Sequence, residues 1–328
     1  IVEALRTSAA DNSSIVGPAS TPSDWTSLEV PWVDHNQIHF GDASILRPTG
    51  LVTIAAAEGA AIVADDTGDG QGGETRQVSA LYADGTTAVL GNGLVGIPLA
   101  DPGGALAAWT TSIPAGDTTV NVFDTESREV IASTTVGADI RVLSVHGDTL
   151  LLGNLDDVEL TWSPTSGGDP QPLSVARTVD DGFISDTAGD VAFATRLGAS
   201  ELVRADGTTV AAFDDSYFAS ISPSSRFVAM SGQRYIRVWD ATADQEVQLG
   251  LPADQRGEAT RWSPDGVLVV RTVPTETGTP IPPDTPVTYF ACQVPSGACQ
   301  SLPSVTESAG LADGLESSSA GQFATYVG

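Results

Sequence analysis

Seven short turns recur along this chain at nearly constant spacing, and that rhythm limits its possible folds more than any other feature. The turns centre on Gly41-Asp42, Asp84-Gly85, Glu126, Ser166-Gly167, Asp206-Gly207, Thr242-Ala243 and Ser296-Gly297, separated by about 43, 42, 40, 40, 36 and 54 residues. Most are flanked by apolar runs of strand character. Two carry the same five residues, Ala83-Asp84-Gly85-Thr86-Thr87 and Ala205-Asp206-Gly207-Thr208-Thr209.

A period of about 40–45 residues built from short strands marks four-stranded blades set around an axis, a β-propeller. Each turn then joins strands C and D of a blade. Blade one places strands A and B over Leu51–Ala57 and Ala60–Ala64, and C and D over Gln77–Tyr82 and Thr87–Leu90. Blade two runs over Gly96–Thr135, blade three over Ile140–Leu173 and blade four over Gly182–Phe213. Blade five holds Arg226–Met230 and Tyr235–Asp240, and blade six covers Thr260–Leu302. At the front, His35–Phe40 and Ala43–Leu46 read as a C–D hairpin with no A–B pair before it. Residues 305–328 can supply an A–B pair with nothing after it. Joining the two gives a seventh blade closed by N-terminal and C-terminal strands, which removes the exposed sheet edges of an open array. The expected fold is all-β: a seven-bladed propeller over residues 25–328 after a small, polar linker over 1–24. Ile1 reads as an interior residue, which leaves open a leader or membrane anchor upstream.

Particular residues add a resemblance. Trp262-Ser263-Pro264-Asp265-Gly266 followed by Val267–Val270 resembles the inner hairpin of WD40 and TolB-type propellers, and Ile221-Ser222-Pro223-Ser224-Ser225-Arg226 is a degenerate copy. Ile236-Arg237-Val238-Trp239-Asp240 is similar to the WD40 strand-C ending, with Val122-Phe123-Asp124 a weaker echo. The Gly-His dipeptide of true WD40 repeats is absent, so their Asp-His-Ser-Trp network is not expected. The resemblance implies a bacterial, extracytoplasmic propeller domain.

Net charge is −28, from 42 acidic and 14 basic residues, and every base is Arg. Such a surface repels phosphate backbones and anionic lipid, which argues against nucleic-acid partners. The absence of Lys excludes Schiff-base and P-loop chemistry. A GC-rich genome and a salt-adapted proteome both account for this composition. The two cysteines, Cys292 and Cys299, lie symmetrically about Pro295-Ser296, where a tight hairpin would set them face to face for a disulfide. That bond implies an oxidising compartment, secreted or at the cell surface.

No nucleophile motif stands out. His35 and His39 are spaced to share a metal on a helix, but on a strand they lie about 13 Å apart. His146 falls in a turn and reads as structural. The loop Asp65–Glu74 is dense in hard oxygen donors, so Asp65, Asp66 and Asp69 are candidate Ca²⁺ ligands, although the spacing does not match an EF-hand. Trp109 ends an inner strand before a long loop, where it could stack on a sugar or a partner side chain or else pack between blades. The B–C connections are long in blade six (Val273–Pro286), blade one (Asp65–Thr75) and blade two (Thr111–Thr118), and short in blade five (Ser231–Arg234). Blades six, seven, one and two are consecutive, so these loops share one sector of one face. Glu276 and Asp284 join Asp65, Asp66, Asp69 and Trp109 as candidate ligand contacts there. The leading expectation is a non-catalytic recognition module for a protein or glycan. A Ca²⁺-assisted propeller hydrolase or lactonase and a structural or sensor domain remain as alternatives.

Overall fold

In the computed structural model the described residues are 23–303, apart from 29, 35–36, 47–50, 68–75, 102, 113–115, 155–158, 174–182, 197–198, 215–217, 232–235 and 278–285. They form seven antiparallel sheets, each a meander in chain order. The first holds three strands, β1 (Trp32–Asp34), β2 (Gln37–Phe40) and β3 (Ala43–Leu46), after a single 3-10 turn over Thr26–Leu28. Blade one contains β4 (Leu51–Ala57), β5 (Ala60–Asp66), β6 (Arg76–Tyr82) and β7 (Thr87–Gly93). Blade two contains β8 (Leu99–Ala100), β9 (Leu106–Ser112), β10 (Thr118–Asp124) and β11 (Glu129–Val136). Blade three contains β12 (Arg141–His146), β13 (Thr149–Gly153), β14 (Glu159–Trp162) and β15 (Gln171–Pro172). Blade four contains β16 (Phe183–Ala188), β17 (Val191–Arg196), β18 (Ala199–Arg204) and β19 (Thr209–Phe213). Blade five contains β20 (Phe218–Ile221), β21 (Phe227–Ser231), β22 (Ile236–Asp240) and β23 (Gln245–Val247). Blade six contains β24 (Gln255–Trp262), β25 (Leu268–Pro274), β26 (Thr288–Cys292) and β27 (Cys299–Ser301).

The first strands of blades one to six touch in sequence, β4 to β8 to β12 to β16 to β20 to β24, which puts strand A of each blade at the axis. Burial follows this order. The B strands are buried almost throughout, as Leu150–Leu152 and Leu268–Val273 show, whereas the D strands β7, β11 and β27 face solvent. Strands covered on both faces carry unbroken apolar runs, and outer strands alternate with polar residues. The apolar clusters lie between blades: Phe193, Leu202 and Phe213 of blade four meet Ile221, Val228 and Met230 of blade five.

Turn chemistry is local. In the two identical turns, Asp84 and Asp206 accept the Thr86 and Thr208 amides, both at 2.9 Å, and Gly85 and Gly207 take φ of +80° and +84°. That left-handed conformation favours Gly, and the Asp side chain fixes the turn. The inner hairpins of blades five and six are copies of each other. The Ser222 and Ser263 hydroxyls accept the Phe227 and Val267 amides, both at 3.0 Å.

The front of the chain differs from expectation. β1 pairs with β2 through Trp32↔His39, Val33↔Ile38 and Asp34↔Gln37, so the amino-terminal sheet supplies three strands rather than a bare hairpin. Val33 is fully buried, and Trp32 and Val33 are residue types that suit a half-buried pleated surface. The expected A–B pair over 305–328 lies outside the described residues, as do residues 1–22 of the expected linker. This sheet packs between blades six and one. Trp25, Leu28, Val33 and Phe40 share a cluster with Ile54 and Val63 of blade one and with Val269 and Tyr289 of blade six. Trp25 Nε1 donates to the Pro303 carbonyl at 2.9 Å and its ring meets Tyr289 edge-on at 5.2 Å. At the axis, Arg261 of β24 donates to the Ile54 carbonyl of β4 at 2.6 Å, and burial lowers its guanidinium to about 10, still charged at neutral pH.

Candidate functional site

The two faces of the ring are built differently. A–B and C–D connections share one face, and most are tight there, as at 58–59, 147–148, 189–190, 41–42 and 241–244. B–C and D–A connections share the other, where they range from 197–198 in blade four to 67–75 in blade one and 275–287 in blade six.

Among the described residues, the sequence candidates for that second face form no group that could hold a metal ion. Asp65 and Asp66 end strand β5, and successive strand residues point to opposite faces. Asp65 is half-buried, and burial, with the adjacent Asp66 charge, raises its carboxyl above the ordinary range. Asp69 and Asp284 lie outside the described residues. Glu276 is exposed just past β25, beside the turn in which Thr277 donates to the Pro274 carbonyl at 3.0 Å. Trp109 corrects its expectation as a ligand platform. It sits inside β9 rather than at its end and is 2% exposed, packed with Ile62, Ala80 and Phe123 between blades one and two. Among the described residues no group of three or more His, Cys, Asp or Glu could hold a metal ion. His39 stacks on Trp32, ring centroids 3.9 Å apart, while His35 lies outside the described residues. Cys292 and Cys299 form the expected disulfide, directly opposite each other across β26 and β27 with Cα atoms 4.1 Å apart.

Sequence reasoning missed the densest polar cluster, which lies at the axis. His146 ends β12, and its Nε2 meets Asp186 Oδ1 of β16 at 3.0 Å. The same Asp186 oxygen accepts the Thr187 amide at 2.8 Å, and Oδ2 accepts the Ile221 amide of β20 at 2.9 Å. Asp101, in the A–B turn of blade two, accepts the Gly147 amide at 2.7 Å and the Gly103 amide at 3.0 Å. These groups border a cavity of about 70 Å³, lined by first-strand residues of blades two to five that include Leu99, Ser144, His146, Asp186 and Ser220. Burial alone would lower the His146 imidazole. The Asp186 carboxylate, its hydrogen bond and the Asp101 charge outweigh that, so the net shift is upward. One sequence signal did exist. His146-Gly147-Asp148 occupies the A–B turn of blade three, where blade four has Ala188-Gly189-Asp190.

The A–B turn of blade two also crosses the axis. A Cβ on Gly103 would collide with the Pro223 ring of blade five, with Cγ at 2.9 Å and the backbone Cα at 3.2 Å.

No protein-family model matches the chain, and no curated protein matches it in sequence. Among solved structures it is similar to the β-propeller domain of the trilobed protease from Pyrococcus furiosus, described as having an open velcro topology. That similarity has a TM-score of 0.58 at 10% identity and covers 82% of this chain and 87% of that one. It is also similar to the C-terminal WD40 domain of Sif2, with a TM-score of 0.49 at 11% identity over 79% and 87% of the two chains. The WD40 domain of Toxoplasma gondii coronin gives 0.46 at 15% identity over 83% and 74%. At such identities the likeness shows fold alone. Together with the seven sheets, it identifies a seven-bladed β-propeller.

Proposed function

We propose that this propeller is a non-catalytic, extracytoplasmic recognition module that binds a protein or glycan through the face carrying its B–C and D–A connections. The observation that carries this reading is the contrast in connection length between the two faces. One face is trimmed mostly to tight turns, while the other bears the segments 67–75 and 275–287 on blades one and six. Binding residues concentrate on loops held by a rigid scaffold, and prolines in 275–287 lower the cost of ordering that loop around a partner. The Cys292–Cys299 disulfide supports an oxidising compartment. A net charge of −28 favours a cationic or neutral partner and disfavours nucleic acid.

The test replaces residues 275–287 by an Asn-Gly turn, which suits a two-residue hairpin. The wild type and the variant are then screened against a glycan array and a panel of basic peptides. The expected result is at least one ligand whose affinity falls about tenfold or more in the variant, roughly 1.4 kcal/mol, with Tm preserved. A wild type that binds nothing in either panel, or a ligand indifferent to the replacement, overturns the reading.

A further inference from the structure

Elsewhere in the inner ring, blades are joined by groups that do not titrate near neutral pH: Trp262 Nε1 donates to the Ser220 carbonyl at 2.9 Å, and Arg261 donates to the Ile54 carbonyl. The arc from blade two to blade five is different. There the connection passes from Asp101 through Gly147 and His146 to Asp186 and the Ile221 amide, so one imidazole and two carboxylates join four blades. Asp101 and Asp186 are each 4% exposed. Histidine is the side chain whose ordinary titration falls within the physiological range.

A second observation concerns where the ring could go. Ser144 is 8% exposed, lines the same cavity, and its hydroxyl has no hydrogen-bond partner. A buried hydroxyl without a partner is costly. Ser144 and His146 are two apart on β12, beyond the strand's register shift at Val142/Ser144, so they lie on the same side. An imidazole released by Asp186 therefore has both space and an acceptor within the cavity.

We propose that His146 is a proton-operated clasp: charged, it ties blade three to blade four through Asp186; neutral, it turns into the axial cavity onto Ser144 and loosens the arc of blades two to five. The groups facing it are accounted for on each element. Blade two contributes Asp101 and blade four Asp186, while the blade-five lining residues Ala219, Ser220 and Ile221 carry no titratable side chain. On its own turn, Asp148 is occupied by Ser163 and Thr165. The sign follows from the upward shift of the histidine from 6.5. The clasp contributes its full stability below the unfolded value and loses it as pH rises through the higher folded value.

The experiment uses the full chain. Long-range ¹H–¹⁵N imidazole spectra are recorded from pH 5 to 9, and His39→Gln and His35→Gln identify the remaining signal as His146 without altering the inner ring's histidine. Calorimetric Tm is followed across the same range. The clasp requires His146 to titrate above 6.5, with Tm falling between pH 6 and 8.5 as the imidazole loses its proton. Ser144→Ala removes both the lone hydroxyl and the landing site, so it should move the His146 titration further upward, a change that a merely structural serine would not cause. A His146 titration at or below 6.5, a flat Tm profile, or a titration unmoved by Ser144→Ala each overturns the proposal.

Discussion

Replacing Trp25 by Ala tests how the amino-terminal sheet is fastened between blades six and one. The indole is 4% exposed, lies against Tyr289, and donates to the Pro303 carbonyl. A buried Trp covers about 150–250 Å², which at about 25 cal/mol per Å² amounts to about 4–6 kcal/mol. Compactness of the unfolded chain reduces this by roughly a quarter, to about 3–4.5 kcal/mol. Loss of the hydrogen bond adds about 1 kcal/mol. Partial collapse of the site offsets some of that sum, so the expected cost is about 3–5 kcal/mol, as for other buried Trp→Ala changes. Trp25→Phe keeps most of the ring contact and loses only the donor, for about 1–2 kcal/mol. Urea unfolding followed by far-UV circular dichroism measures both. A loss below about 1 kcal/mol for Trp25→Ala, with an unchanged m-value, would refute the argument that this residue latches the sheet into the ring.

Reducing Cys292–Cys299, or replacing both by Ser, should cost about 2–3 kcal/mol in the same urea assay, since the bond closes a short loop. Gly103→Ala should destabilise by about 1–3 kcal/mol because the new methyl group meets Pro223 across the axis, and a neutral result would show that the two turns do not touch. Asp240→Asn should cost about 1 kcal/mol at pH 7, because the Arg226 fork is lost but is partly exposed to solvent. The Arg226 hydrogen bond holds the Asp240 carboxyl below 3.8, so that contribution is complete above about 3.8 and disappears as pH falls through the lower folded value. The difference in stability between Asp240→Asn and wild type should therefore shrink in acid, which urea titrations at pH 7 and pH 3 can measure.

What could be read in the chain was whatever repeats. All seven turns named from sequence fall in C–D connections, because Asp-capped hairpins such as Asp84–Thr86 and Asp206–Thr208 are written in a few adjacent residues. The disulfide was legible for the same reason, as two positions placed symmetrically about one turn. β1 was not, since three residues have no periodicity to display and only their partners on β2 define them as a strand. Trp109 was ambiguous because an aromatic near a loop and an aromatic between blades look alike in sequence, and Gly91 packed against its indole decides the matter. The axial cluster was hidden by distance along the chain. Asp101, His146, Asp186 and Ile221 stand about one blade apart, and only the packing of consecutive blades around the axis makes them neighbours.

The contact between Gly103 and Pro223 acts as a strut, for it joins the A–B turns of blades two and five across the hub. Breathing of the ring that splays blade two from blade five has first to break that brace, which leaves the loop-bearing rim as the freer side of the molecule.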